Sequence, residues 1–268
     1  MSEAIGQPGE AALPRPMSTG EILSAAFQLY RRHWRTLLAI AAVVVVPFTL
    51  LQYFLGDQVR LHGQTTSNGV MMSTPTWRVG VAGLVTALAG LVMYLVLTGA
   101  ITRAVAAETA GQDPSVEQSY RFGFHRLGPV LLVSVLVGLA VVGGLILLII
   151  PGIWIGIRLA TSTQALVVEG RRPTQAMGRS WNLVGGHWWH AFGTLLLAGL
   201  LTFVVNALIT APFSATNWFG QAVAAAVATV ITLPYSTLIG VLLYLDLRAR
   251  KENLNLERLR ADLQASAA

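Results

Sequence analysis

Long apolar runs recur along this chain, and they decide what it can fold into. A helix needs about 20 apolar residues to cross a hydrocarbon core roughly 30 Å thick, at about 1.5 Å per residue. Only 11% of the 268 residues are charged and 54% are hydrophobic, whereas soluble proteins carry about 25% charged residues. The sequence therefore predicts an all-α integral membrane protein and excludes a single soluble domain.

The uncharged runs predict six transmembrane helices. They lie at residues 36–56, 79–101, 129–150, 153–168, 188–213 and 219–245. These spans form one membrane domain over residues 18–248. Residues 1–17, which are rich in Gly and Pro, are expected to be a disordered cytoplasmic leader, and residues 249–268 a cytoplasmic amphipathic tail. The first run has the length of a permanent anchor, so a cleaved signal peptide is not expected.

The fourth predicted span is the shortest, with 16 residues before Glu169. Pro151 and Gly152 come directly before it. Proline and glycine suit a tight hairpin between the third and fourth spans. A helix broken within the membrane, lining a cavity, fits the same residues. The sequence leaves both alternatives open.

Basic residues are distributed unevenly over this topology. Six spans place both termini on one side of the membrane, and 15 of the 18 basic residues fall on that side. Arg60 and Arg78 lie on the other side, and Arg158 lies within a span. Because Arg and Lys near span ends are retained in the cytoplasm, both termini are predicted to be cytoplasmic. A reporter fused after Ala268 that is active only outside the membrane would contradict this orientation.

Each odd-numbered span is preceded by a similar segment. The three copies align at an aromatic residue, namely Phe27, Phe122 and Trp181. Six residues later a pair precedes each apolar run: His33-Trp34, Gly128-Pro129 and His187-Trp188. Internal repeats are common in membrane bundles. We therefore expect three helical-pair repeats, each preceded by a cytoplasmic interfacial amphipathic helix.

The first of these segments shows the expected amphipathic pattern. At helical spacing its apolar arc contains Ile22, Leu23, Ala26, Phe27, Leu29, Tyr30 and Trp34. Ser18 and Glu21 have the spacing of a capping box, which marks the start of a helix. An apolar arc with aromatic residues, opposite an Arg-rich face, is typical of a helix that lies among lipid headgroups. The predicted membrane-interface residues are Arg31, Arg32, Trp34, Arg35, Arg179, Trp181, Trp188 and Trp189.

Arg158 is the one charged residue inside a predicted span. Intramembrane charge is costly, and it usually faces a cavity or a polar partner. Thr161 and Gln164 continue a polar stripe on the same helix, and Asn206 in the fifth span can complete a polar interior. These residues either hold helices together by hydrogen bonds or form a phosphate or carboxylate site around Arg158. The candidate ligand-binding residues are therefore Arg158, Thr161, Gln164 and Asn206.

Motifs for catalysis are missing from the sequence. There is no GxGxxG, GxxxxGK[ST], HExxH or GxSxG motif, and there is no cysteine. His187 and His190 have spacing for two metal ligands, but no carboxylate or thiol is near them in sequence, so an aromatic interfacial belt is favoured over a metal site. We expect no catalytic residues, no cofactor and no metal. Glu169 and Asp246 are expected to meet basic residues such as Arg248 or Arg172 at the span ends, as ion pairs at the water boundary.

Three segments resemble one protein family. They are GEILSAAFQLYRRHWRTLLAI at 20–40, RLATSTQALVVEGRRPTQAMGRSWNLVGGHWW at 158–189 and LLYLDLRARKENLNLERL at 242–259. They resemble the bacterial glycerophosphoryl diester phosphodiesterase membrane-domain family. The resemblance is most distinctive at Glu169, Pro173, Arg179, Ser180 and Trp181, and it implies a protein of the bacterial cytoplasmic (inner) membrane. The spans and amphipathic segments occupy residues 18–260, so a catalytic barrel of about 250 residues is not expected.

Together these features favour a non-enzymatic multi-pass inner-membrane protein. We expect it to bind or organise phospholipid-like ligands, or to assist a membrane complex. The alternative is a transporter or permease component that moves a small or lipid-like solute. Membrane lipids are the expected partners, with a protein docked on the cytoplasmic helices as a further alternative. Nucleic acid is not expected, because the basic residues flank membrane spans.

Overall fold

The computed structural model describes residues 15–62, 65–67, 70–72, 90, 97–103, 105, 127–252 and 254–267. The labelled helices are α1 (Thr19–His62), α2 (Leu127–Leu147), α3 (Ile149–Leu159), α4 (Ser162–Glu169), α5 (Pro173–Val184), α6 (Trp188–Thr210), α7 (Trp218–Glu252) and α8 (Leu256–Ala267). A 3-10 turn at Ala211–Phe213 follows α6. After α1, β1 (Thr65–Ser67) pairs antiparallel with β2 (Val70–Met72), with Thr65 opposite Met72. Within the described ranges the fold is otherwise helical, including residues 97–103.

Four helices in the described ranges are long and apolar enough to cross a membrane. They cover Thr19–Phe54, Gly128–Leu147, Trp188–Phe213 and Trp218–Glu252. Large apolar side chains cover their outer surfaces; Ile146 is 81% exposed, Leu147 is 79% exposed and Phe203 is 69% exposed. Extensive exposed apolar surface is unusual on soluble monomers. These features are typical of an all-α membrane protein, as the composition predicts.

Two parts of the predicted topology fall largely outside the described residues. The second predicted span covers residues 79–101, of which only residue 90 and residues 97–101 are described. The amphipathic segment around Phe122 also lies outside, as do residues 1–14 of the predicted leader. The first predicted span, residues 36–56, lies wholly within the described residues, as does nearly all of the chain from Leu127 onward.

Helices α1 and α7 pack along each other in antiparallel directions. At one end the Met17 amide, just before α1, donates to the carboxylate of Asp246. Further along, the Tyr30 hydroxyl donates to the Ile231 carbonyl at 3.1 Å. At the other end the rings of Phe54 and Trp218 lie 5.6 Å apart. The core surrounds the second half of α7, where the fully buried residues include Ile239, Val241, Leu243, Tyr244 and Leu247.

The segment before the first span is helical, and it meets the helix of the span within α1 at a kink at His33, where φ is −118° and ψ is 24°. Its apolar arc packs largely against protein, since Ile22 and Ala26 are fully buried. Phe27 and Trp34 remain 52% and 48% exposed, so only part of the arc is available to lipid. The capping box is confirmed, because the Ser18 amide donates to the Glu21 carboxylate at 2.7 Å.

The third copy of the segment forms a helix of its own. Helix α5 begins at Pro173, a residue suited to the first turn of a helix, and ends before Gly185, Gly186 and His187. Gly186 has φ 86°, a backbone conformation that favours glycine. His187 has φ −124° and ψ 25°, close to the values at the His33 kink. The chain therefore enters α6 and the span of α1 with the same backbone geometry, and each histidine is followed by Trp.

Helices α2 and α3 form a tight hairpin whose turn is not at Pro151-Gly152. The extended residue between the helices is Leu148, with φ −164° and ψ 151°. Pro151 lies in the first turn of α3. Backbone N–H groups in the first turn have no acceptor within the helix, so a proline there costs no helical hydrogen bond. Gly152 packs against α2, and a Cβ there would lie 2.5 Å from the Leu145 side chain and 2.7 Å from its backbone nitrogen. Glycine at this position serves close helix packing rather than turn formation.

The predicted fourth span, residues 153–168, is not one continuous helix. Helix α3 ends at Leu159, Ala160 and Thr161 form a turn, and α4 begins at Ser162. With 11 residues α3 is about 16 Å long, too short to cross the hydrocarbon core. The structure thus contains both a hairpin at the start of this region and a break within it.

The C-terminal segment folds back onto the bundle. Helix α7 extends to Glu252, and α8 is a separate helix rather than its continuation. Leu259 and Leu263 of α8 are fully buried, and Arg103 Nη1 donates to the Leu263 carbonyl at 2.9 Å. The apolar stripe predicted for the tail therefore packs against protein.

Candidate functional site

The break between α3 and α4 is stabilised by one buried serine. The Ser180 hydroxyl of α5 donates to the Arg158 carbonyl at 2.9 Å and accepts from the Thr161 amide at 3.2 Å. Its oxygen is also 2.9 Å from the Thr161 hydroxyl. Because Ser180 has one proton, the Thr161 hydroxyl acts as the donor in that pair. Ser180 therefore satisfies backbone groups that the helix break would otherwise leave buried without partners.

We expect Ser180→Ala to lower the free energy of unfolding by about 1–3 kcal/mol, the usual cost of leaving buried polar groups unpaired. Denaturant unfolding in detergent measures this change. Ser24→Ala is the matched control, because the Ser24 hydroxyl is exposed and bonds only to Glu21 in its own helical turn. A Ser180→Ala protein as stable as the control would contradict this role for Ser180.

Arg158 lies at the end of α3, between two tryptophans. Its guanidinium carbon is 4.8 Å from the ring centre of Trp154 and 5.0 Å from that of Trp181. Nη1 donates to the Trp181 carbonyl at 3.0 Å. A Cβ at Gly185 would lie 2.9 Å from Nη1, so glycine there leaves room for the guanidinium. Among the described residues the cation is thus held by indole rings and one carbonyl rather than by a carboxylate.

Most N–H groups of the Arg158 guanidinium have no hydrogen-bond acceptor among the described residues. A guanidinium has five N–H donors, and Nη1 makes the one hydrogen bond described above. Within the described part of the chain Nε is buried and has no hydrogen-bond partner. A buried N–H without an acceptor is costly. This arrangement is suited to binding an oxyanion.

Aromatic side chains continue from Arg158 onto the first turn of α6. Trp188 Nε1 donates to the Trp154 carbonyl at 3.4 Å. The Trp188 ring stacks on Phe192 with ring centres 5.1 Å apart. Trp189 is 77% exposed. Tryptophan clusters of this kind are typical of the membrane–water boundary, and this one places Arg158 beside an aromatic surface.

The four candidate ligand-binding residues do not converge on one site. Arg158 and Thr161 are linked through Ser180, as described above. Gln164 is buried, and its amide nitrogen would lie 2.8 Å from a Cβ at Gly240. Gln164 Oε1 has no partner among the described residues.

Asn206 belongs to a different contact between helices. Its amide donates to the Thr202 carbonyl in α6 and to the Thr232 hydroxyl in α7, each at 3.0 Å. Thr232 and Gly240 are eight residues apart on α7, about 12 Å along a helix. Asn206 and Gln164 therefore contact different parts of α7, and Asn206 has the helix-bridging role common for polar residues in membrane bundles.

The predicted interface residues occupy two kinds of environment. The exposed members are Arg31, Arg32, Trp34, Arg35 and Trp189, while Trp181 and Trp188 are half-buried. The Arg35 guanidinium lies 5.3 Å from the Trp34 ring centre. Arg179 instead has a side chain only 16% exposed and faces carboxylates inside the protein.

Glu169, at the end of α4, is the centre of that carboxylate network. It accepts hydrogen bonds from the Tyr244 hydroxyl and from Arg171, and from Arg179 Nε at 2.9 Å. Arg248 Nε lies 3.6 Å away, which confirms the predicted pairing of Glu169 with Arg248. Burial raises the pKa of Glu169, but the bonds from Tyr244 and Arg171 and the nearby guanidinium groups lower it below its usual value overall. Glu169 is therefore ionised at neutral pH.

The network extends from Glu169 to the C-terminal helix. Arg179 binds both carboxylate oxygens of Glu252, with Nη2 to Oε2 at 2.6 Å. Burial alone would lower the pKa of Arg179, but the bonds to Glu252 and Glu169 raise it above its usual value. Arg248 Nη2 lies 2.8 Å from Asp262 of α8. The network thus connects α4, α5, α7 and α8.

A second buried carboxylate, Asp246, joins the ends of α1, α6 and α7. It accepts from the Met17 amide at 2.5 Å and from Arg250 Nε at 2.9 Å. His190 Nε2 lies 2.9 Å from Asp246 Oδ2, the oxygen that also accepts from Arg250 Nε. No carboxylate is near His187 and His190 in sequence, but the fold brings Asp246, 56 residues after His190, into contact with it. Among the described residues no group of three or more His, Cys, Asp or Glu is arranged to hold a metal ion.

Arg158 combines N–H donors with neighbouring indole rings, a chemistry that suits an oxyanion. The carboxylates of Glu169 and Asp246 are already engaged by arginines.

No protein-family model matches the chain, and comparisons with curated proteins and with solved structures find no match.

Proposed function

We propose that this chain is a non-enzymatic, multi-pass membrane protein that binds the phosphate of a phospholipid-like ligand at Arg158. The observation that carries the proposal is the guanidinium held between Trp154 and Trp181 with unmet donors. Charge inside an apolar bundle is retained when it has a partner or a functional role. A bound anion supplies the missing partner.

The shape of the site favours an oxyanion. Two indole rings lie near the guanidinium carbon of Arg158, so an incoming group approaches the N–H edge rather than a face. That edge matches the spacing of phosphate or carboxylate oxygens. The neighbouring Trp188 and Trp189 favour a ligand that lies at the level of lipid headgroups. We therefore favour a phospholipid phosphate over a soluble anion.

We also propose six membrane spans in three repeats, with both termini in the bacterial cytoplasm. The matching backbone at His33 and His187, each followed by Trp, supports a relation between the first and third copies. The concentration of Arg and Lys on one side supports the orientation. Membership of the glycerophosphoryl diester phosphodiesterase membrane-domain family is part of the same proposal, and it rests on the three sequence segments quoted above.

A transporter or permease component is the second candidate. The break at Ala160-Thr161 favours it, because discontinuous helices line the substrate sites of many transporters. The two candidates differ in proteoliposomes, where a transporter moves solute or lipid between compartments. A protein that only binds lipid does not change the distribution of solute or lipid between the compartments.

Native mass spectrometry with lipid analysis tests the leading candidate. We expect the wild-type protein, purified in mild detergent, to retain an anionic phospholipid, and Arg158→Gln to retain at least about tenfold less. This loss corresponds to the usual strength of hydrogen bonds to a charged group. Arg258→Gln is the matched control, because Arg258 is exposed on α8. Equal lipid retention by wild type and Arg158→Gln would contradict the proposal.

A further inference from the structure

The joint between α5 and α6 forms part of the wall around Arg158. It consists of Gly185, Gly186 and His187. Trp181, whose ring and carbonyl contact the guanidinium, precedes it by one helical turn. Gly185 approaches Nη1 so closely that a Cβ would lie 2.9 Å away. Any movement of the joint therefore changes the surroundings of Arg158.

The same joint carries a cluster of titratable groups. The groups near the His187 imidazole are His190 of α6 and Arg250, Lys251 and Asp246 of α7. Lys251 also donates to the Asn182 carbonyl of α5, and Asp246 is engaged by Arg250 and His190. Within the described residues His187 Nδ1 is buried and has no hydrogen-bond partner.

We infer that protonation of His187 weakens ligand binding at Arg158, so that the site responds to acidification. The inference rests on the proposed function, whose regulation it describes. An imidazolium at this joint adds a positive charge that Arg250 and Lys251 repel, while Asp246, the carboxylate that attracts it, already has basic partners. Repulsion favours an open joint, which displaces Trp181 and Gly185 from the guanidinium.

The direction of the pH dependence follows from the surroundings of His187. Burial, together with the charges of Arg250 and Lys251, lowers its pKa below the usual value. Above about pH 6.5 His187 is neutral, and its protonation does not weaken ligand binding. As the pH falls below that value, protonation increasingly favours the open joint and weakens binding. Ligand binding is strong at pH 7.5 and weaker at pH 5.5.

Phosphatidylglycerol binding to the full-length protein at pH 7.5 and 5.5 tests the inference. The wild-type protein should bind roughly two- to fivefold more weakly at pH 5.5, the range supplied by one partly exposed charge interaction. His187→Gln cannot be protonated in this range, and its binding should be the same at both pH values. His33→Gln is the matched control, since it alters the equivalent joint in α1 and should keep the wild-type pH dependence.

The outcomes separate the inference from the proposed function. Binding that requires Arg158 but is equal at both pH values in the wild type would overturn the regulation alone. The same pH dependence in His187→Gln as in wild type would also overturn it. If Arg158→Gln binds as tightly as wild type at both pH values, the proposed function fails and the regulation fails with it. Hydrogen exchange at the amides of Gly185 and His187 provides a second readout, with protection lost on acidification in wild type but not in His187→Gln.

Discussion

Glu169→Ala is expected to lower the free energy of unfolding by about 3–5 kcal/mol, the cost of removing one partner from a buried ion network. The substitution leaves the buried Tyr244 hydroxyl without its acceptor. It also removes the carboxylate that faces Arg179 and Arg248. The loss is measured by denaturant unfolding in detergent at neutral pH, where Glu169 is ionised.

Glu257→Ala provides the control for this experiment. Glu257 is exposed in the first turn of α8 and forms no ion pair with the described residues. Its removal should change stability by less than about 0.5 kcal/mol. If Glu169→Ala were as mild as Glu257→Ala, the network would not be a major source of stability.

Gly152→Ala is expected to destabilise the protein by about 3 kcal/mol, at the upper end of the usual cost of overpacking. A Cβ at this position would lie 2.5 Å from the Leu145 side chain and 2.7 Å from the Leu145 backbone nitrogen. The side chain can adjust, but the backbone contact requires the two helices of the hairpin to separate. Thermal unfolding in detergent measures the effect.

Gly138→Ala, on the same hairpin, is the matched control. No atom lies within 4 Å of a Cβ added at Gly138. Alanine favours a helix over glycine by up to about 1 kcal/mol, so this variant should be neutral or slightly more stable. Equal destabilisation by Gly152→Ala and Gly138→Ala would show that the hairpin is not packed as the structure describes.

Local sequence patterns predict several features of the fold correctly. Apolar runs identify the long helices because bilayer thickness fixes the length they need. The Ser18 and Glu21 spacing identifies the start of α1. These features depend on residues close together in sequence, where the helix itself determines which side chains meet.

The hairpin turn could not be predicted in the same way. Proline and glycine are common in turns, so Pro151 and Gly152 indicate one. The turn residue is Leu148, which carries no turn signal, while Gly152 is required by its contact with Leu145. A glycine that forms a turn and a glycine that allows two helices to pack closely look alike in sequence. They can be distinguished only once the packing of the two helices is known.

The candidate site was only partly predictable. Arg158 stands out because charge is rare in a membrane span. Its contact with Trp181 joins residues 23 positions apart, and the Arg179 contact with Glu252 joins residues 73 positions apart. Helical spacing places Arg179 on a polar face but does not show that this face meets carboxylates of another helix. Long-range partners of this kind follow from tertiary packing alone.

A crystal structure grown from a lipid phase that contains phosphatidylglycerol would identify the group bound to Arg158. We expect a phosphate with an oxygen about 2.7–3.0 Å from Arg158 Nη2, as in charge-assisted hydrogen bonds. The two indole rings should still enclose the guanidinium. A protein carboxylate in that position, with no phosphate nearby, would contradict the assignment of Arg158 as a lipid-binding residue.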